Sequence, residues 1–142
     1  MNKLDKESVI GISALLVHAA NIDEIYSDHE KILIKNFINS YLDNENVDAI
    51  LKKAEEVENN SNQLLNYTNI LKNNSIEIKK DIIEHLWKVI ISDNTVDQYE
   101  SNLMRRICGL IYFSDKECGE IKLNLINSKW LILLKMNALN AN

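Results

Sequence analysis

The sequence predicts an all-α fold: a single domain over residues 1–142, built from about seven to eight helices with an approximate two-fold repeat. The 142 residues include no proline and only three glycines, and helices with short connections need fewer turn residues than sheets do. Apolar residues recur at helical spacing along most of the chain. A segment near the start is repeated near the middle, which indicates two related lobes of one domain.

The first two helices have clear start signals. The first is predicted from about Asp5 to Ala20. Ser27 is then expected to cap the second helix, with Glu30 completing a capping box. The apolar face of the first helix consists of Val9, Ile12, Leu15, Leu16 and Ala19.

Asparagine pairs separate the middle helices. A third amphipathic helix begins near Val47 and ends at Asn59-Asn60, and Ser61 is the candidate cap of a fourth. Asn73-Asn74 ends the fourth helix, and Ser75 opens a fifth that runs to about Ile91.

Capping residues also open the later helices. Asp97 is expected to cap the sixth helix, with Glu100 at its third position. Ser114 and Glu117 form a further capping box, which starts a seventh helix to about Ile126. Residues 128–142 are expected to form a last short helix, making eight.

The internal repeat relates residues 22–30 to residues 92–100 at an offset of 70. In each copy an aspartate is followed seven residues later by a glutamate, with a capping residue between them. The four acids are Asp23 and Glu30, then Asp93 and Glu100. The predicted organisation is two repeat halves, about 8–42 and 75–113, followed by C-terminal helices over 114–140.

Charge and composition exclude several classes of function. The net charge of −5 comes without a basic stripe, so nucleic acid is not an expected partner. The longest apolar run, residues 130–134, is far too short to span a bilayer, so no membrane insertion is expected. The spacing of Cys108 and Cys118 fits neither a metal nor a redox motif, which favours free thiols in the cytoplasm.

The repeat and its flanks resemble a known family. Residues 15–20, Ile22-Asp23 and residues 27–31 resemble the first half of the TerB-like tellurite-resistance family. The second half of the family is similar to residues 86–89, Asp93, residues 97–100 and residues 103–107 of this chain. Ala54-Glu55 fits the segment between the two halves. The resemblance covers about residues 8–118. It implies an all-helical, pseudo-symmetric cytoplasmic domain, as at the N-terminus of a DnaJ-like membrane co-chaperone.

The same resemblance implies clustered acids that bind metal ions, and a link to tellurite and other stress responses. Carried over by motif, these acids are Asp23, Glu30, Asp93 and Glu100. The family usually has glycine after each aspartate, whereas this chain has Glu24 and Asn94. Because glutamate tolerates a left-handed turn poorly, the first loop is expected either to be distorted or to gain a third carboxylate.

Two interpretations of the acids stay open. In one, the loops meet and present Asp23 and Asp93, with Glu24 and Asp28 as further oxygen donors, to a divalent cation of unknown identity. His18, one helical turn earlier, would add a nitrogen and favour a transition metal or Zn²⁺. In the other, the glutamates only cap helices and the aspartates only close loops. An EF-hand is excluded, because neither loop has the required glycine or final glutamate.

The functional prediction is a non-enzymatic domain that binds an unknown protein partner, and a divalent cation through the acidic loops. The alternative is a protein–protein or co-chaperone-like adaptor without metal, in which residues 130–134 form a docking or homodimer surface. A third hypothesis is a metal-dependent enzyme that uses the carboxylates together with His18, although no catalytic motif or phosphate-binding glycine loop is present.

Overall fold

The computed structural model describes residues 4–23, 26–43, 45–60, 64–91 and 98–140. Within these ranges every regular element is helical and there is no strand, which confirms the all-α prediction. A short 3-10 turn, Asn21–Asp23, follows the first helix. The described residues form seven α-helices: α1 Lys6–Ala20, α2 Asp28–Tyr41, α3 Val47–Asn59, α4 Leu64–Lys72, α5 Ile76–Ile90, α6 Gln98–Leu110 and α7 Asp115–Asn140.

Side-chain caps start α1, α2 and α5, where the sequence predicts a helix start near Asp5, a capping box at Ser27 and an opening residue at Ser75. The Asp5 carboxylate accepts from the Ser8 N–H at 2.7 Å, and the Ser75 hydroxyl accepts from the Ile78 N–H at 3.3 Å. Ser27 caps α2 with a complete capping box. Each cap satisfies a backbone donor that the first helical turn would otherwise leave unpaired. The predicted caps Ser61 and Asp97 lie outside the described residues.

The prediction of two separate C-terminal helices is wrong, because α7 is continuous from Asp115 to Asn140. The expected break fell at Asn127-Ser128. Asparagine and serine weaken a helix interior by only about 0.5 kcal/mol each, far less than proline does. Without proline or glycine at that point, the backbone hydrogen bonds run through it.

Helix α1 lies at the centre of the core and contacts α2, α3, α4 and α5. Most of its residues from Val9 onward are buried, as expected for a helix that is surrounded on all sides. Gly11 lets α4 approach closely, since a Cβ there would collide with Ile70. The largest fully buried side chains are Ile12, Leu15, Leu16, Ile34, Phe37, Ile38, Leu71, Ile82, Ile83, Leu86, Met104 and Ile107.

The helix boundaries follow the same 70-residue offset as the sequence repeat. Helices α1 and α5 begin at Lys6 and Ile76, and α2 and α6 begin at Asp28 and Gln98. Helix α1 packs on α3 as α5 packs on α7, and α2 packs on α3 as α6 packs on α7. The division into repeat halves itself stays a prediction. Among the described helices, none combines the length and the apolar character that crossing a membrane requires.

Candidate functional site

The end of α1 is tied to the end of α3 by one carboxylate. Glu58 Oε1 lies 3.4 Å from His18 Nδ1, and the Asn21 side-chain amide donates to Glu58 Oε2 at 3.3 Å. His18 and Glu58 are both largely shielded from solvent, with side chains 32% and 17% exposed. Glu58 therefore fixes the last turn of α1 and the 3-10 turn that follows it.

Glu30 is buried and acts as the second member of the α2 capping box. Its Oε1 accepts from the Ser27 N–H at 2.8 Å and from the Ser27 hydroxyl at 3.0 Å. The Glu30 N–H donates back to the Ser27 hydroxyl at 3.1 Å. These bonds confirm the capping box predicted from the sequence and hold the segment before α2 in place.

Tyr26 lies between this capping box and α3. The Lys31 ammonium sits over its ring, 5.0 Å from the centroid. Burial raises the pKa of Tyr26 far above its usual range, and the nearby carboxylates of Glu55, Glu30 and Glu58 raise it further. Among the described residues the buried Tyr26 hydroxyl has no hydrogen-bond partner, although the Glu55 carboxylate lies close enough to raise its pKa. A buried hydroxyl without a partner is uncommon and calls for an explanation.

An open pocket of about 460 Å³ lies beside these residues, and we call it the acidic pocket. Half-buried Glu55 and Glu58 and exposed Glu56 supply its negative charge. Its lining is completed by Val17, Asn21, Tyr26, Lys31, Lys52 and Asn59. Because α3 carries the glutamates, α1 carries Val17 and α2 carries Lys31, the pocket exists only once the three helices pack.

Of the five metal ligands predicted from the sequence, two have described side chains. His18 and Glu30 both lie near the acidic pocket, but His18 pairs with Glu58 and Glu30 caps α2. Asp93 lies outside the described residues, as do the side chains of Asp23 and Glu100. The convergence of the two aspartates therefore stays a prediction.

Within the described part of the chain, no three acids, histidines or cysteines form a group able to hold a metal ion. The acidic pocket nevertheless offers oxygen donors at Glu55 and Glu58 beside the unpartnered hydroxyl of Tyr26. The 3-10 turn that ends at Asp23 adjoins it through Asn21. The donors present thus fit part of a cation site, which further side chains would have to complete.

Sequence reasoning missed Glu58 and Tyr26 as members of this site. The available signal was the spacing of Glu55 and Glu58, which places both carboxylates on one face of α3. Nothing in the local sequence showed that this face meets the end of α1.

A second polar cluster joins α2 to α5. The Tyr41 hydroxyl donates to Asp81 Oδ2 at 2.6 Å, and His85 Nε2 lies 3.6 Å from Asp81 Oδ1. Burial lowers the pKa of His85 although Asp81 opposes the shift. Burial also raises the pKa of Tyr41, so its hydroxyl serves as a donor rather than a base. The cluster borders an open pocket of about 520 Å³.

A model of a known protein family matches most of the chain. The family model described as "Tellurite resistance protein TerB" matches residues 10–123. The chain belongs to the TerB family. The TerB match runs from α1 into α7 and so includes the whole acidic pocket, and it confirms the resemblance found in the sequence. No curated protein and no solved structure gave a significant match to the chain.

Proposed function

We propose that this TerB domain is a non-enzymatic binding module that takes up a divalent cation at the acidic pocket during a cytoplasmic tellurite or metal stress response. The observation that carries the proposal is the meeting of Glu55 and Glu58 with the unpartnered Tyr26 hydroxyl beside the 3-10 turn that ends at Asp23.

The donor chemistry favours a hard cation. Carboxylate oxygens are the preferred ligands of Ca²⁺ and Mg²⁺, and a cation would relieve the repulsion between neighbouring glutamates. Glu55 is the best placed direct ligand, because Glu58 already accepts from Asn21 and faces His18. Glu30 would order the loop from its capping position rather than bind the cation directly.

The remaining ligands would come from the repeat. Asp23 ends the turn next to the acidic pocket, and Asp93 and Glu100 are the matching acids of the second copy. A cation held by both copies would cross-link the two halves and stabilise the folded state.

Thermal melting of the purified protein tests the proposal. We expect millimolar Ca²⁺, Mg²⁺, Mn²⁺ or Zn²⁺ to raise the melting temperature, because a ligand that binds only the native state stabilises it, by about 2.7 kcal/mol at 100 times Kd. Glu55→Gln and Asp23→Asn should each abolish the rise. Glu120→Gln, at an exposed position on α7, is the matched control and should keep it.

An unchanged melting temperature of the wild type with all four cations would overturn cation binding. Equal responses of Glu55→Gln and Glu120→Gln would instead show that cations bind elsewhere on the chain.

A second candidate function, a protein–protein module, is supported by α7. Leu123 and Ile126 are 59% and 37% exposed on this helix, ahead of the apolar segment 130–134. The occupant this surface suits best is a second copy, with α7 packing on its equivalent.

Light scattering should then show a dimer that Leu123→Glu and removal of residues 128–142 each convert to a monomer. A wild-type monomer at high concentration would reject the homodimer.

A further inference from the structure

The two cysteines lie together where α6 meets α7, although their spacing in the sequence matches no redox motif. Cys108 and Cys118 are free thiols, 0% and 5% exposed. Each thiol is the largest influence on the pKa of the other, so the two side chains are close neighbours. Neither thiol belongs to the acidic pocket, so the pair is not explained by the proposed function.

The turn between the helices creates this contact. Helix α6 ends in a Schellman motif, in which the Phe113 N–H donates to the Cys108 carbonyl at 2.9 Å and the Tyr112 N–H donates to Gly109 at 3.4 Å. Tyr112 takes the left-handed position with φ of 57°. The chain reverses at that point, and α7 then carries Cys118 back against the last turn of α6.

The surroundings of Cys118 favour a thiolate. The Trp87 indole N–H donates to Cys118 Sγ at 3.3 Å and to its carbonyl oxygen at 3.1 Å. Cys118 also lies in the first turn of α7, where its N–H donates to Ser114 and the helix dipole stabilises negative charge. Lys122 lies one turn further along, 5.2 Å from the centre of the Trp87 ring.

The same surroundings make the two thiols unequal. The neighbouring Cys108 thiol, the Trp87 N–H and Lys122 lower the pKa of Cys118, whereas burial and Asp115 oppose the shift. The neighbouring Cys118 sulfur and burial raise the pKa of Cys108. The Cys118 sulfur is therefore the better nucleophile of the two, because the thiolate is the reactive form.

We propose that Cys118 and Cys108 form a reversible intramolecular disulfide when the protein meets a peroxide, with Cys118 as the attacking sulfur and Cys108 as the resolving one. Cys118 ionises, its thiolate attacks a peroxide oxygen, and the O–O bond breaks to give a sulfenic acid and a hydroxide, which takes up the proton that Cys118 released and becomes water. The Cys108 sulfur then attacks the Cys118 sulfur, the S–O bond breaks, and the departing hydroxide takes the Cys108 proton. Two thiols are oxidised, and one hydrogen peroxide is reduced to two waters.

The disulfide would join the end of α6 to the start of α7. Trp87 on α5 contacts Cys118 directly, so its fluorescence should change with the oxidation state of the pair. Trp130 is the other tryptophan, and Trp130→Phe leaves Trp87 as the only tryptophan, which can be excited selectively above the tyrosine absorption.

The first test treats the reduced wild-type protein with hydrogen peroxide. We expect titratable thiols in denaturant to fall from the two of the sequence to none, with a monomeric product lighter by two hydrogens and a cross-linked peptide joining Cys108 to Cys118. A thiol reductant should restore both thiols and the Trp87 emission. Two intact thiols, a disulfide-linked dimer, or oxidation to sulfinic acid alone would overturn the proposal.

Single variants then test the order of events. Cys108→Ser should stop at a sulfenic acid on Cys118 that dimedone traps, whereas Cys118→Ser should leave Cys108 reacting at least about tenfold more slowly, because the protonated thiol is a poor nucleophile. Equal rates in the two variants would overturn the assignment of Cys118 as the attacking sulfur. The wild-type thiol count and cross-linked peptide decide the disulfide itself if either variant fails to fold.

Discussion

Helices α1 and α5 occupy equivalent places in the repeat, but the helices packed beside them carry different chemistry. Beside α1, helix α3 brings Glu55 and Glu58 to a tyrosine hydroxyl. Beside α5, helix α7 brings the Cys118 sulfur to the Trp87 indole. The first arrangement offers oxygen donors that suit hard cations, and the second offers a polarisable sulfur that suits oxidation. The helix starts thus follow the 70-residue offset, whereas the groups between the helices differ.

Individual positions show the same divergence. Asn21, which donates to Glu58, corresponds to Ile91 at the 70-residue offset, and Ile91 is buried. His18, which faces Glu58, corresponds to Lys88, which pairs with Glu84 on its own helix. The residue types that link α1 to α3 are therefore replaced by an isoleucine and a lysine at the equivalent positions.

The largest expected effect is the loss of stability on truncating a buried leucine in each half, which tests whether the two halves share one core. Leu16 and Leu86 are equivalent and both are fully buried. Leu16→Ala and Leu86→Ala should each lower the free energy of unfolding by about 2–5 kcal/mol, through lost burial and the cavity left behind. Urea denaturation measures both.

The control for this pair is Ile32→Ala at a position that is 53% exposed, where the change should stay within about 0.5 kcal/mol. A loss confined to one of the two leucine variants would show that the core is not shared equally between the halves.

A smaller loss of stability is expected from removing a helix cap, and two caps of different burial can be compared. Ser27→Ala removes the acceptor of the Glu30 N–H in a largely buried capping box, and should lower the free energy of unfolding by about 1–2 kcal/mol. Ser114→Ala removes the equivalent acceptor of the Glu117 N–H at an exposed helix start, and should cost about 0.5–1 kcal/mol. Chemical denaturation ranks the two, and a larger loss for Ser114→Ala would contradict the importance of burial.

These caps show which features the sequence could predict. A cap depends on residues three apart, so Ser27 and Ser75 could be identified from the sequence near their own helices. Glu58 was missed because its role depends on α3 packing against α1, which no local pattern encodes. The continuity of α7 was missed because polar residues were taken to end a helix that they only weaken.

The cysteine pair illustrates the same limit. The spacing of Cys108 and Cys118 matched no motif, and free thiols were the expectation. Their contact depends on the left-handed Tyr112 in the turn between α6 and α7. A tyrosine gives no warning of such a conformation, whereas glycine at that position would have predicted the turn.

The polar cluster of α2 and α5 should make stability depend on pH. Burial lowers the pKa of His85; Lys88 assists, while Asp81 and Glu84 oppose the shift. The unfolded chain then binds a proton more readily than the native state, so stability is highest above the unfolded pKa of about 6.5 and falls as pH drops below it. The slope from this one group is at most about 1.4 kcal/mol per pH unit.

Denaturation of His85→Gln between pH 7.5 and 5.5 measures this contribution. The variant should show a shallower loss of stability than wild type over that window. Ile32→Ala, which leaves every titratable group in place, is the control and should keep the wild-type slope. A wild-type slope in His85→Gln would contradict a buried neutral histidine in the native state.

The smallest expected effects compare the Glu58–His18 contact of the first half with the Glu84–Lys88 ion pair of the second. Glu58→Gln removes the charge facing His18 but leaves an amide oxygen that can accept from Asn21, so the free energy of unfolding should fall by less than about 1 kcal/mol. Glu84→Gln removes the partner of Lys88 within α5 and should cost about 0.2–0.5 kcal/mol.

Because Glu58 is more buried than Glu84 and joins two helices, 0.5 M salt should weaken the Glu84 contribution more than the Glu58 contribution. Equal salt sensitivity of the two variants would mean that the pairing of α1 with α3 is as solvated as an ordinary surface ion pair, and would weaken the case for a distinct acidic pocket in the first half.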